Sequence, residues 1–199
     1  MATLITKENY AVDTTRGLLE AAPVFVRHFN ELVTDVNVGG SFVSYTTQSI
    51  AANDTAIVAD LGTAVYSSGV MLGTDAQGKY VSVSAAGTYS FDFTLQYFKN
   101  NTTAEGTMTG WLATNPAGVV TAPTSIDGTA NAVSLAISSQ LTVITLHSHL
   151  VLSAGDKVYL LFAGNTAGLT KSDLQLRYSA ASGPYPKIAS ISLEVDKVR

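Results

Sequence analysis

Apolar and polar residues alternate most regularly between Gly87 and Tyr97, and this alternation predicts a β-strand. Every second side chain there is large and apolar: Tyr89, Phe91, Phe93, Leu95 and Tyr97. Successive side chains of a strand point to opposite faces, so the segment predicts a strand with one buried face. A second segment, Leu152–Leu160, contains two short apolar runs around Gly155-Asp156. It predicts two strands joined by a tight turn, as in an antiparallel hairpin.

Short segments of the same kind fill the chain after Gly40 and predict an all-β domain. Clusters of Gly, Asn, Asp and Pro separate many of them. Strands at intervals of this length indicate two packed sheets, and their number favours a jelly-roll β-sandwich. The predicted strands cover residues 41–50, 56–60, 63–72, 79–84, 87–98, 107–114, 131–137, 141–152, 157–163, 173–179 and 187–198.

In the segment before these strands the apolar residues have a different spacing, which predicts a short N-terminal helical anchor segment. Leu18, Ala22, Phe25, Phe29, Leu32 and Val36 follow one another at heptad spacing. Pro23 is tolerated only in a first helical turn, so the helix is predicted from about residue 23 to residue 36. Gly39-Gly40 is predicted to end the helix and form a hinge. The predicted division is an anchor segment, 1–38, and a jelly-roll head, 41–199.

The helix is too short to be stable alone, so its apolar side must pack against another surface. That surface is either the chain's own sandwich or the same helix of neighbouring subunits. The residues predicted to form this anchor or oligomer interface are Phe25, Phe29, Leu32 and Val36.

The chain carries few charges, which narrows the classes of partner. Charged residues make up 13% of its 199 residues, against about 25% in a typical soluble protein, and the net charge is −4. No basic patch is visible, so nucleic-acid binding is not expected. No apolar run approaches the roughly 20 residues that span a bilayer, and no membrane partner is expected. A surface of uncharged Ser, Thr, Asn and Gly indicates a protein that packs against other protein. The alternative explanation is the general preference of β proteins for Thr and Ser over Lys and Glu.

Two histidines are the strongest candidates for metal chemistry. His147 and His149 are two residues apart in a predicted strand and therefore share a face. Cupin jelly rolls use such a pair with a nearby glutamate and a distant third histidine, but the remaining histidine here, His28, lies in the predicted helix. The pair is therefore predicted to face an interface or solvent, and no metal or cofactor is expected.

The sequence contains no recognisable catalytic constellation, and the chain is not expected to be an enzyme. It has no cysteine and no Gly-x-Ser-x-Gly motif. Trp111 is predicted either to contact a partner or to lie in a satellite core, and the sequence leaves both open. The carboxylates are scattered, mostly in predicted turns: Asp54, Asp60, Asp75, Asp92, Glu105, Asp127, Asp156 and Asp173.

Three motifs resemble the globular heads of the complement-component and tumour-necrosis-factor superfamily. The resemblance implies a ten-stranded jelly roll that assembles as a homotrimer. The family's Ca²⁺-binding loops are not recognisable, so it implies no metal ligand here. The motifs are Gly87-Thr-Tyr89-Ser-Phe91, Leu152-Ser-Ala-Gly155-Asp156-Lys-Val158-Tyr-Leu160 and Ile188-Ala-Ser-Ile191-Ser-Leu193-Glu-Val195.

The leading peptide, with Phe29-Asn-Glu-Leu-Val-Thr-Asp-Val-Asn37 before a glycine pair and a jelly roll, resembles tailed-bacteriophage virion proteins. This resemblance implies a homotrimeric capsid decoration (cement) protein on the outside of the phage head, with the major capsid protein as its partner. One alternative is a receptor-binding fibre knob that recognises a host-surface glycan or protein. A weaker alternative is a cupin-like metalloenzyme.

Overall fold

A computed structural model describes residues 38–100, 105–136, 140–165, 173–184 and 186–198. The predicted helix and its residues Phe25, Phe29, Leu32 and Val36 lie outside these ranges. The described strands are β1 (Gly39–Ser44), β2 (Gln48–Ser49), β3 (Ile57–Val58), β4 (Thr63–Ser68), β5 (Val70–Asp75), β6 (Gly78–Val83), β7 (Gly87–Lys99), β8 (Gly106–Asn115), β9 (Thr124–Ser125), β10 (Asn131–Leu135), β11 (Gln140–Leu152), β12 (Lys157–Asn165), β13 (Leu174–Leu176) and β14 (Ile191–Lys197).

Within the described ranges these strands form two antiparallel sheets of seven strands each. The first sheet has the order β2-β13-β7-β14-β1-β4, and β11 pairs with the other edge of β7. The second sheet has the order β10-β8-β12-β6-β5, with β3 beside β12 and β9 beside β8. From β6 to β13 most strands pass from one sheet to the other along the chain. The protein is therefore a jelly-roll β-sandwich, as predicted.

The core lies between the two sheets and contains the predicted aromatic stripe. Tyr89, Phe91, Phe93, Leu95 and Tyr97 of β7 are fully buried. Because the core uses this face of β7, the alternate residues of the strand point to the outer face of the first sheet. The predicted buried face of this strand is therefore confirmed. Residues that pack on it from other strands include Val81, Leu112, Leu160, Phe162, Leu193 and Val195.

The predicted hairpin at Gly155 is wrong, because the two strands that it joins do not pair. β11 pairs with β7 in the first sheet, and β12 pairs with β8 in the second. Gly155 adopts a positive φ of 85°, and its N–H donates to the Val83 carbonyl. Asp156 accepts a hydrogen bond from the Ser153 N–H at 2.8 Å. The turn chemistry was predicted correctly, but the turn connects the sheets.

The predicted strand 63–72 is two strands in the structure, because the chain passes from one sheet to the other within this segment. Gly69, with a φ of 67°, separates β4 in the first sheet from β5 in the second. A positive φ is unfavourable for residues with a Cβ, so glycine permits the sharp change of direction.

The predicted hinge at Gly39-Gly40 is also wrong, since both glycines are buried in β1. They pair with Asp196 and Val195 of β14 and with Ser68 and Ser67 of β4. A Cβ on Gly39 would lie 2.5 Å from an Asp196 carboxylate oxygen, and one on Gly40 would lie 2.8 Å from the Phe42 ring. These glycines allow close packing, and the head includes residues before the predicted start at 41. Residues 38–199 form one compact unit.

Candidate functional site

The outer face of the first sheet carries the histidine pair. The strand register places His147 opposite Asp92 and His149 opposite Ser90. On the other side of β7, Glu194 lies opposite Asp92 and Asp196 opposite Ser90. Residues that lie opposite one another on β11, β7 and β14 form a row across the sheet. Two neighbouring rows therefore contain two imidazoles and three carboxylates.

The two imidazoles and Asp92 form a continuous chain of short contacts. The Nδ1 atom of His147 lies 2.6 Å from Oδ1 of Asp92. Its Nε2 atom lies 2.7 Å from Nε2 of His149, and the ring centroids are 4.6 Å apart. The hydroxyl of Ser90 donates to the second oxygen of Asp92 at 3.2 Å. Both imidazoles are exposed, as the sequence predicted for a pair facing solvent or an interface.

The carboxylates of this face extend toward β4. Tyr66 of β4 lies opposite Ser41, which is itself opposite Glu194. Burial raises the pKa of the Tyr66 hydroxyl, and the charges of Asp196 and Glu194 raise it further. The two carboxylates therefore make the electrostatic potential near Tyr66 more negative.

The next row of the same face lacks charge, whereas the row of Leu141 and Phe98 has the Arg177 guanidinium 3.9 Å from the centre of the Phe98 ring. Thr145, Thr94, Ser192 and Val43 lie side by side across β11, β7, β14 and β1. The hydroxyl oxygens of Thr94 and Thr145 are 3.1 Å apart. Further along β11 the side chains of Leu141 and Val143 are 47% and 55% exposed. We call Val43, Thr94, Leu141, Val143, Thr145 and Ser192 the uncharged patch.

A buried polar cluster lies on the outer face of the second sheet. Nζ of Lys157 and the hydroxyl of Tyr159 both donate to Oδ2 of Asp75, at 2.7 and 2.8 Å. Burial alone would raise the pKa of Asp75, but these two bonds, the Gln77 N–H and the Lys157 charge lower it to about 2. The ammonium of Lys157 also lies 4.7 Å from the centre of the Tyr80 ring.

Trp111 belongs to a small apolar cluster beside this network. It packs with Tyr159, Leu161 and Ala113, and its indole N–H donates to the Ser125 hydroxyl at 2.9 Å. This contact corresponds to the satellite-core alternative for Trp111.

Several of the scattered carboxylates stabilise turns and neighbouring strands. Asp60 accepts from the Gly62 N–H and pairs with Lys79 at 2.6 Å. Asp54 accepts two bonds from the Asn165 amide, at 2.7 and 2.8 Å. These contacts give Asp60 and Asp54 a structural role.

Two open grooves flank these clusters. One has a volume of about 330 Å³ and is lined by His149, Asn115, Ile126 and Asp156, among others. The other, of about 340 Å³, is lined by Asp54, Thr107 and Asn165, among others.

In the described part of the chain, no group of three or more His, Cys, Asp and Glu side chains is arranged to hold a metal ion. No helix within the described ranges has the length and hydropathy required to span a membrane.

No protein-family model and no curated protein matches the chain. Solved structures that resemble it include an Eiger TNF from S. frugiperda and murine APRIL. The first is 12% identical, with 81% of this chain and 92% of that chain covered at a TM-score of 0.48. The second is 16% identical, with 79% and 97% covered at the same TM-score.

Proposed function

We propose that the protein is a non-catalytic structural protein, a homotrimeric capsid decoration protein that binds the outside of a phage head. The observation that supports self-assembly is the uncharged patch beside the long edge strand β11. This strand of thirteen residues pairs with β7 along its whole length, and β7 is its one strand partner in the described ranges. An exposed edge with apolar side chains favours association with another chain.

The uncharged patch suits contact between copies because none of its six side chains carries a charge, and the Arg177 guanidinium over Phe98 lies at its edge. Val143, Leu141 and Val43 supply apolar area, while threonine and serine hydroxyls supply hydrogen bonds of low desolvation cost. The adjoining row of His147, Asp92 and Glu194 would form a polar rim. Closed symmetry is the usual way for one chain to cover such a surface.

The proposed protein would stabilise the capsid through the thermodynamic linkage between its binding and the assembly of the shell. A protein that binds the assembled shell and not its separate subunits adds its binding free energy to that of the shell. The predicted anchor, residues 1–38, would supply this attachment, and the major capsid protein would be the partner.

Binding to undecorated capsids tests this proposal. We expect the full chain to co-sediment with capsids, whereas replacement of Phe25 and Phe29 by serine should abolish saturable binding. A phenylalanine ring buried against the capsid would contribute up to a few kcal/mol of packing. Replacement of the exposed Val120 by serine is the matched control on the head and should not affect binding. Equal binding by the Phe25/Phe29 variant would place attachment elsewhere, and binding to host cells instead would favour the receptor-binding knob.

A further inference from the structure

We propose that His147 and His149 form an open site for a divalent transition-metal ion such as Zn²⁺, with Asp92 as a positioning residue. This site is additional to the proposed structural role and does not require the trimer. The distances between these side chains, which the sequence could not supply, favour metal binding where the sequence alone favoured a simple exposed pair.

The two imidazoles converge on one point. Their Nε2 atoms are 2.7 Å apart, which fits one proton shared between two nitrogens. Zinc binds imidazole nitrogen at about 2.0–2.1 Å, and tetrahedral geometry then separates two such nitrogens by about 3.3–3.4 Å. The rings need to part by only about 0.6 Å to exchange the proton for a metal ion. Small side-chain rotations on an exposed strand provide that movement.

Asp92 favours the tautomer of His147 that can bind a metal ion, with the proton on Nδ1 and a lone pair on Nε2. An ionised carboxylate only accepts hydrogen bonds, so the 2.6 Å contact requires a proton on Nδ1 of His147. In the neutral ring Nε2 then carries a lone pair, directed at His149. His149 must hold the shared proton on Nε2 and can present a second lone pair by moving it to Nδ1. A carboxylate behind a metal-binding histidine is the usual second contact of such ligands.

The surroundings favour a cation of intermediate softness. Imidazole suits Zn²⁺, Cu²⁺ and Ni²⁺, whereas Mg²⁺ and Ca²⁺ prefer oxygen ligands. Glu194 and Asp196 lie in the same two rows and add negative potential. Two protein ligands leave the remaining coordination positions to water, so the ion would exchange with solvent. A site with two ligands is also consistent with the absence of any group of three among the described residues.

Calorimetric titration of the full chain with ZnCl₂ tests the site. We expect saturation at one Zn²⁺ per chain, and at least tenfold weaker binding in His147→Ala and in His149→Ala. The third histidine provides a matched control, because His28→Ala should bind as the unaltered protein does. Asp92→Asn should weaken binding by about tenfold to a hundredfold, the usual effect of losing the residue behind a metal ligand. Thermal unfolding of each variant without metal separates loss of the site from loss of the fold.

A spectroscopic measurement distinguishes a positioning role of Asp92 from a purely structural one. Long-range ¹H–¹⁵N NMR of the metal-free protein should show the His147 ring proton on Nδ1. In Asp92→Asn the share of His147 rings with the proton on Nδ1 should change, while the backbone spectrum stays the same. No Zn²⁺ binding by the unaltered chain, or unchanged binding after both histidines are replaced, would overturn the proposal. Binding that survives Asp92→Asn undiminished would remove Asp92 from it.

Discussion

Asp75→Ala is expected to lower the free energy of unfolding by about 3–5 kcal/mol, the usual cost of breaking a buried ion pair. The side chains of Lys157 and Asp75 are only 13% and 14% exposed. Removing the carboxylate leaves the Lys157 ammonium and the Tyr159 hydroxyl without the acceptor that they share. Urea unfolding followed by circular dichroism measures the loss.

Two comparisons show whether the ion pair is responsible. Asp127→Ala, at an exposed turn, should change stability by about 0.5 kcal/mol or less. Joint replacement by an apolar pair, Asp75→Leu with Lys157→Met, should cost less than Asp75→Ala because no buried charge remains. Equal losses for Asp75→Ala and Asp127→Ala would contradict the assigned role.

The same pair sets an acid limit on stability. The pKa of Asp75 is about 2 in the folded protein, below its ordinary 3.8. A lowered pKa contributes stability that is complete above the ordinary value and is lost as the pH falls through the folded one. The contribution, about 2 kcal/mol, should therefore disappear between about pH 4 and pH 2. The stability difference between the unaltered protein and Asp75→Ala should narrow over this interval.

A chain beginning at Val38 is expected to fold, whereas one beginning at Val43 is expected to be largely unfolded. The longer chain keeps β1, and the Val38 carbonyl still accepts the Lys197 N–H at 2.9 Å. The shorter chain loses four paired positions between β14 and β4, and one of them is Phe42, which is fully buried. Loss of a buried phenylalanine side chain alone costs about 3–5 kcal/mol.

Far-UV circular dichroism and urea unfolding compare the two truncated chains. A chain beginning at Ser41 is a useful intermediate, since it loses two paired positions and keeps Phe42. Stability should fall in the order Val38, Ser41, Val43. Equal stability of all three would mean that β1 does not contribute to the sandwich.

Local patterns predicted the strands well because each depends on neighbouring residues. The alternation from Tyr89 to Tyr97 correctly identified a buried face, and Gly155-Asp156 correctly identified a turn. The prediction of a hinge at Gly39-Gly40 was wrong, because a glycine pair is equally typical of a hinge and of a close contact between strands. Only the position of Asp196 and Phe42 in space distinguishes the two.

The candidate sites depended on residues far apart in sequence and could be predicted only in part. His147 and His149 share a face by spacing alone, so their exposure was foreseeable. Asp92, which fixes His147, is 55 residues away, and Asp75 is 82 residues from Lys157. The arrangement of distant strands within each sheet determines such contacts, and no local signal in the sequence reports it.

Self-assembly through the uncharged patch is the central claim, and sedimentation equilibrium of the full chain at micromolar concentration tests it most directly. We expect a mass three times the 20.8 kDa of the chain. Val143→Glu should reduce the mass to that of a monomer, because it places charge in the patch. Val120→Glu is the matched control, at a residue 68% exposed outside the patch, and should remain trimeric. A monomeric mass for the unaltered chain, or a trimer that Val143→Glu does not disturb, would contradict the account.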